Sequence, residues 1–235
     1  MVMITKEQIL KNRQQTSTSP FRKYRDYRPG EFICVFADTA AGGEDYCACI
    51  FLSKTHLDIP MIYHAQVIAS DMTPVIQQEL EHIYDITQVK PVIAYERNNG
   101  GIFELERLAR LNRNGKYDIY KVKTGIGSRE TTKDTPKLGW ETNTATRPHM
   151  LSQLKDCIDS MSLEIPDRPL VNEMFSFVMV QTSSSWKAQA ENGSHDDLIM
   201  ALAGAWQLYQ TELPQRIEQI ETQQDLELDQ FGLYS

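Results

Sequence analysis

No stretch of this chain is apolar for long enough to cross a membrane. The longest such run, 174–180, has seven residues and contains Ser176, whereas a membrane-spanning helix needs about 18 or more. The N-terminal residues also lack the hydrophobic centre of a secretory signal. We therefore expect no membrane among the partners of this protein.

Cysteine is scarce, with four residues in 235 and no CxxC pair. This argues against a disulfide scaffold, and a cysteine-based zinc site would have too few well-spaced ligands. The simplest interpretation is a set of reduced thiols in a cytoplasmic setting.

Positive charge is also in deficit, since 24 Lys and Arg face 32 Asp and Glu, for a net charge of −8. This balance argues against a protein that coats nucleic acid by bulk charge, but not against an enzyme that contacts DNA through a local basic strip. The length predicts one substantial domain or at most two small ones, and 41% hydrophobic residues are ordinary for a globular protein.

Hydrophobic patterning divides the chain into three parts: a polar, basic linker or tether over 1–30, a domain over 31–210, and an acidic, flexible tail over 211–235. In the domain, short apolar runs predict five strands and longer periodic stretches predict four helices, with a hairpin near 163–187. The strands are expected at 32–37, 46–52, 61–69, 91–96 and 117–122, and the helices at about 73–87, 101–111, 145–160 and 195–210. Short connections among the first three strands favour an antiparallel meander, and the fourth is typical of a central parallel strand.

Acidic residues lie at the ends of three predicted elements. Asp38 closes the first strand, Glu96 closes the fourth, and Asp196 and Asp197 open the last helix. Sites in open α/β sheets form at the carboxyl ends of parallel strands. If strands one and four are neighbours, these carboxylates form one cluster.

Clustered carboxylates repel one another and stay ionised only beside a compensating cation. Hard oxygen ligands select Mg²⁺ or Mn²⁺. Two such ions about 3.5–4 Å apart serve in-line displacement at phosphorus. The pattern thus predicts a two-ion site with Asp38, Glu96, Asp196 and Asp197 as ligands.

Each position also has a purely structural interpretation. An aspartate after a strand is often a turn former, acids in the first helical turn favour the helix dipole, and Glu96 could pair with Arg97 at the surface. His195, beside the two aspartates, either faces solvent or assists a metal or a proton transfer.

A basic cluster lies between positions 121 and 147, a region otherwise poor in acids. A charge run is usually a solvated face, but this one flanks the predicted site on a polar loop, which suits contacts with a phosphate backbone. Its members are Lys121, Lys123, Arg129, Lys133, Lys137 and Arg147.

Four segments, in this order, resemble the nuclease domain of tailed-bacteriophage large terminase subunits: FADTAAGGEDYCACIF, PVIAYERNNGG, LGWETNTATRPHMLSQL and SSWKAQAENGSHDDLIMALAGAWQ. The resemblance implies an RNase H-like (retroviral-integrase-like) α/β fold, with a central mixed five-stranded sheet flanked by helices and an extra β-hairpin. It also implies a Mg²⁺- or Mn²⁺-dependent endonuclease that cuts concatemeric viral DNA. Asp38, Glu96 and an acid within 195–197 would be its catalytic residues; the choice between Asp196 and Asp197 stays open.

The same resemblance implies double-stranded DNA, a packaging ATPase domain, a portal and a small terminase subunit as partners, in the cytoplasm of the host cell. Members of this family carry an N-terminal ATPase. This chain has no Walker A sequence, so the resemblance is to the nuclease part, and residues 1–30 are expected to be the tether from the ATPase.

Other functions stay open at this point. A junction resolvase or transposase of the same fold would use similar carboxylates on a preferred DNA structure. A non-catalytic docking module would use the acids as helix caps. An actin-like phosphotransferase would need a second glycine-rich phosphate loop and a longer, duplicated chain, and the sequence shows neither.

Overall fold

A computed structural model describes residues 19–40, 42, 45–122, 137–181, 186–190 and 195–214. Eight strands and five helices lie in these ranges. In chain order they are β1 (Phe21–Lys23), β2 (Ile33–Asp38), β3 (Cys47–Ser53), β4 (Asp58–Ala65), α1 (Ala69–Thr87), β5 (Val92–Tyr95), α2 (Gly101–Leu111), β6 (Asp118–Ile119), α3 (Thr146–Asp159), α4 (Arg168–Ser176), β7 (Phe177–Gln181), β8 (Trp186–Ala190) and α5 (Asp197–Thr211).

The main sheet is mixed and has the strand order β1-β4-β3-β2-β5-β6. Strands β2, β3 and β4 form the predicted antiparallel meander, while β5 pairs parallel with both β2 and β6. The mixed sheet is therefore confirmed, and β7 and β8 form the predicted separate hairpin.

The predicted number of five strands is wrong, because β1 adds a sixth at the β4 edge. This strand is only three residues long and lies in polar sequence, so periodicity could not reveal it. It pairs with β4 from Phe21↔Tyr63 to Lys23↔Met61, and Arg22 Nε donates to Asp167 Oδ2 at 2.6 Å. The described part of the predicted tether thus packs on the sheet, whereas the division into tether, domain and tail stays a prediction.

Two hydrophobic cores lie on opposite faces of the sheet. Successive residues of β2 point into opposite cores. Cys34 and Phe36 pack in the core with α3, α4 and α5, whereas Val35 and Ala37 pack in the core with α1 and α2. Because both faces are covered, β2 is continuously apolar instead of alternating.

Helix α1 begins at Ala69, four residues before its predicted start at about residue 73. Proline has no N–H to donate, so Pro74 leaves the carbonyl of Ser70 without its helical partner. Arg107 on α2 donates from Nη1 to that carbonyl at 3.0 Å, which allows the helix to continue through the proline.

Helix α4 was not predicted, since the region 163–187 was interpreted as a hairpin alone. Local signals for it exist: Asp167 accepts from the N–H of Leu170 at 2.7 Å as an N-cap, and Pro169 lies in the first turn. Within the described ranges, none of the helices has the length and apolar character that crossing a membrane requires.

Candidate functional site

The parallel pair β2 and β5 places Asp38 beside Glu96. Ala37 is opposite Tyr95 in the register, and the N–H of Glu96 donates to the carbonyl of Ala37 at 2.8 Å. Both acids therefore leave the sheet at the carboxyl ends of neighbouring strands, as the sequence predicted.

Helix α5 brings Asp196 and Asp197 to the same end of the sheet. Burial raises the pKa of Asp38 well above its ordinary value, and the charge and hydrogen bond of Glu96 raise it further, followed by the charges of Asp197 and Asp196. Such mutual effects require proximity. The strand register thus places Asp38 beside Glu96, and the charges of Asp196 and Asp197 at the start of α5 act on Asp38; the roles of all four acids stay predictions.

The two aspartates differ in their surroundings. Asp196 accepts from Arg147 Nη2 at 2.7 Å, and Arg147 also donates from Nη1 to the sulfur of Met200 at 3.0 Å. Asp197 has a side chain only 20% exposed, and its Oδ2 has no hydrogen-bond partner. Burial, followed by the charge of Asp196, raises the pKa of Asp197 to about 6. Asp197 is therefore the carboxylate with a shielded oxygen that accepts no hydrogen bond.

His195 is exposed and its Nδ1 lies 3.7 Å from Oδ2 of Asp197, too far for a hydrogen bond. Its ring meets the ring of Tyr46 edge-on at 5.3 Å between centroids, and Tyr46 in turn packs against His64 at 4.7 Å. These three rings pack in a row, with His195 next to Asp197. Sequence patterns did not single out Tyr46, because the residues of this row lie far apart in the chain.

The turn after Glu96 supports that residue. Asn98 donates from Nδ2 to Glu96 Oε1 at 2.8 Å, and Thr39 donates from Oγ1 to the carbonyl of Asn98 at 3.2 Å. A Cβ added to Gly101 would lie 1.9 Å from the carbonyl oxygen of Glu96, so this close approach requires glycine. The sequence analysis did not single out Asn98.

Glu173 was also missed. It lies on α4 and its Oε2 accepts from the N–H groups of Leu198 and Ile199, at 3.0 and 3.3 Å, in the first turn of α5. No local motif marks this role, since 25 residues separate Glu173 from Leu198.

The predicted basic cluster is only partly brought to the acids. Arg147 contacts Asp196 directly. Lys121 and Lys137 are exposed on paired segments beyond β6, where Val122 donates its N–H to the carbonyl of Lys137 at 2.9 Å. Lys123, Arg129 and Lys133 lie outside the described residues.

The donor set of the site fits a hard cation, but a closed ligand shell is not formed. Carboxylates are the ligands that Mg²⁺ and Mn²⁺ prefer, Oδ2 of Asp197 is buried and has no hydrogen-bond partner, and Asp38 and Glu96 lie at adjoining strand ends. Across the described ranges, however, no three His, Cys, Asp or Glu side chains are already arranged to hold one ion.

No protein-family model and no curated protein sequence matches this chain, but solved structures do. The large terminase nuclease from thermophilic phage G20c has a TM-score of 0.61 and 20% identity, covering 88% of this chain and 95% of that one. The Thermus phage P74-26 large terminase nuclease domain has a TM-score of 0.59 and 18% identity, covering 90% and 94%. The Mn-soaked human cytomegalovirus terminase nuclease domain has a TM-score of 0.56 and 14% identity, covering 88% and 95%.

These likenesses establish the fold. The chain has the RNase H-like fold of viral large terminase nuclease domains, a mixed sheet flanked by helices. Structures of the G20c nuclease contain bound cobalt, magnesium or zinc. Because one fold can support different chemistries, the function of this chain depends on its own site.

Proposed function

We propose that this chain is the nuclease domain of a terminase large subunit. In this proposal it is an endodeoxyribonuclease that uses two Mg²⁺ or Mn²⁺ ions to hydrolyse phosphodiesters of concatemeric phage DNA during genome packaging. The observation that supports the proposal is that Asp38 and Glu96 lie side by side at the carboxyl ends of β2 and β5, while Asp197 opens α5 and its charge acts on Asp38.

Three carboxylates would hold the ions: Asp38, Glu96 and Asp197. Bound divalent ions activate a water molecule and neutralise the charge that develops on the leaving oxygen. Asn98 orients Glu96 through its 2.8 Å hydrogen bond. Asp196, whose carboxylate is paired with Arg147, is a weaker candidate ligand, which favours Asp197 in the choice that the sequence left open.

The basic side chains and His195 near the carboxylates would contact the DNA. Arg147, which is hydrogen-bonded to Asp196, would contact a phosphate next to the cleaved bond, and the exposed Lys121 and Lys137 would contact the backbone further away. His195 is next to Asp197 and exposed, so it is available for a proton transfer.

The test is cleavage of a supercoiled plasmid with Mg²⁺ or Mn²⁺ by Asp38→Asn and the parent chain. We expect the variant to fold and to lose cutting by 100-fold or more, because a neutral amide holds a cation far less well than a carboxylate. Asp118→Asn is the matched control, because Asp118 begins a parallel strand at the opposite end of the sheet. Equal cutting by folded Asp38→Asn and parent would refute the site.

The wider setting is part of the same proposal. We expect the ATPase domain, the portal and the small terminase subunit as partners, and action in the host-cell cytoplasm. A pull-down of the portal and small subunit from infected cells, with the chain as bait, tests these partners.

A non-catalytic docking module is the second candidate, favoured by one observation: the described side chains form no ready-made metal site. Calorimetric titration with Mn²⁺ separates the two. The nuclease requires binding that Asp38→Asn abolishes, whereas a docking module requires no binding by either chain. A junction resolvase or transposase would bind the metal but prefer branched over linear DNA.

A further inference from the structure

The start of α5 is capped by a side chain from another helix. The first N–H groups of an α-helix have no partners within the helix, and the residue before the helix usually supplies an oxygen for them. Here that residue is Asp196, whose side chain makes no such bond. Instead, Oε2 of Glu173 on α4 accepts from Leu198 and Ile199.

This arrangement changes the interpretation of the two aspartates. Acids at a helix start are commonly explained as caps, which was the structural alternative for Asp196 and Asp197. In the fold that task belongs to Glu173. Asp196 is therefore free to hold Arg147, and Asp197 keeps an oxygen without a hydrogen-bond partner.

We propose that Glu173 is a positioning residue for the carboxylate cluster. By capping α5 from α4, it fixes the helix start and keeps the carboxylates of Asp196 and Asp197 off the amides of Leu198 and Ile199. The inference rests on the proposed function for the role of Asp197 as a metal ligand. Glu173 itself is not assigned to the metal, because its Oε2 is already bonded to two amides.

The electrostatic surroundings of Glu173 agree with this placement. Burial raises its pKa to about 8, the N–H groups of Ile199 and Leu198 oppose that rise, and the charges of Asp197 and Asp196 add to it. The carboxyl group therefore lies close enough to both aspartates to sense their charge.

The test compares Glu173→Met and Glu173→Gln by Mn²⁺ calorimetry and by thermal unfolding without metal. Met keeps the volume but accepts no hydrogen bond, so a neighbouring aspartate is expected to turn onto the amides and Mn²⁺ affinity to fall 10-fold or more. The Gln carbonyl still accepts, so affinity is expected to stay within about 3-fold of the parent. Glu31→Gln is the control, because Glu31 is a buried carboxylate that pairs with Arg25, away from α5; it should lower thermal stability without changing Mn²⁺ affinity.

The possible results of this test separate the role of Glu173 from the proposed function. Parent-like affinity in Glu173→Met overturns the inference, and so does an equal loss in both Glu173 variants, since charge and not hydrogen-bond acceptance would then be responsible. If Glu173→Met does not fold, hydrogen exchange on the parent and Glu173→Gln decides: the amides of Leu198 and Ile199 must be protected in both. Absence of Mn²⁺ binding by the parent refutes the proposed function instead, while the exchange measurement still reports on the cap.

Discussion

At the scale of single residues, the site depends on side chains that hold the acids as well as on the acids. Asn98 fixes one oxygen of Glu96 at 2.8 Å, and groups that orient a metal ligand typically contribute about 10-fold or more to metal affinity or activity. We predict that Asn98→Ala lowers Mn²⁺-dependent plasmid cutting by about 10-fold with little change in thermal stability. Asn112→Ala removes a hydrogen bond that the Asn112 side chain donates to the Tyr117 carbonyl at the other end of α2, and this variant should cut like the parent. Equal effects of the two variants would contradict the role of Asn98.

His64 gives a second prediction at this scale, concerning stability against pH. Burial lowers its pKa to about 4; the positive charges of Arg22 and His195 act in the same direction, and Asp167 opposes them. The unfolded chain therefore takes up the proton first, near pH 6.5. The contribution of neutral His64 is complete above pH 6.5 and is lost as pH falls towards 4, at up to about 1.4 kcal/mol per pH unit.

Urea unfolding of the parent and His64→Gln across pH 4 to 7 measures this effect. The parent should lose more stability than the variant between pH 6.5 and 4. His56→Gln, at an exposed histidine, should follow the parent curve. Parallel curves for the parent and His64→Gln would show that His64 is not the group responsible.

At the scale of elements, α5 must approach β2 closely to deliver its aspartates. A Cβ on Gly204 would lie 2.4 Å from ring atoms of Phe36, so no side chain fits between the helix and the strand. We predict that Gly204→Ala destabilises the fold by about 1–3 kcal/mol through overpacking, although alanine favours helices by about 1 kcal/mol.

Thermal or urea unfolding checks this prediction, with Gln210→Ala on the exposed side of α5 as the control, expected within about 0.5 kcal/mol of the parent. Adding Phe36→Leu to Gly204→Ala should restore part of the loss by making room for the methyl group. A neutral or stabilising Gly204→Ala would show that the two elements separate without cost.

At the scale of the whole molecule, the net charge of −8 opposes DNA binding outside local basic positions. Lys121 and Lys137 are exposed and lie on adjoining segments. Each phosphate contact contributes about 0.9 to the slope of log affinity against log salt. We predict that the double variant Lys121→Gln, Lys137→Gln lowers this slope by up to about 2.

Fluorescence anisotropy with a DNA duplex in the absence of Mg²⁺ and Mn²⁺ measures the slope. Lys116→Gln is the control, because Lys116 pairs with Asp85 and should leave the slope unchanged. An unchanged slope in the double variant would exclude these lysines from the DNA interface.

The sequence alone determined the elements that carry the acids. Continuous apolar runs marked β2 and β5 because both strands are covered on two faces, and the acids Asp38 and Glu96 mark where those runs end. Such signals are local, since they depend on neighbours within a few residues. The short strand β1 and helix α4 gave too little local periodicity, although the cap Asp167 and Pro169 did signal α4.

The contacts that those residues make depend on the tertiary structure. The pairing of β2 with β5 makes Asp38 and Glu96 neighbours. Arg147 is hydrogen-bonded to Asp196, 49 residues away in the chain. Glu173, on a separate helix, caps α5. Hydrogen bonds and ion pairs of this kind depend on distances in space, and no spacing along the chain encodes them. The sequence could therefore place four carboxylates at the ends of elements, while the fold alone distinguished Asp196, which is hydrogen-bonded to Arg147, from Asp197, whose Oδ2 accepts no hydrogen bond.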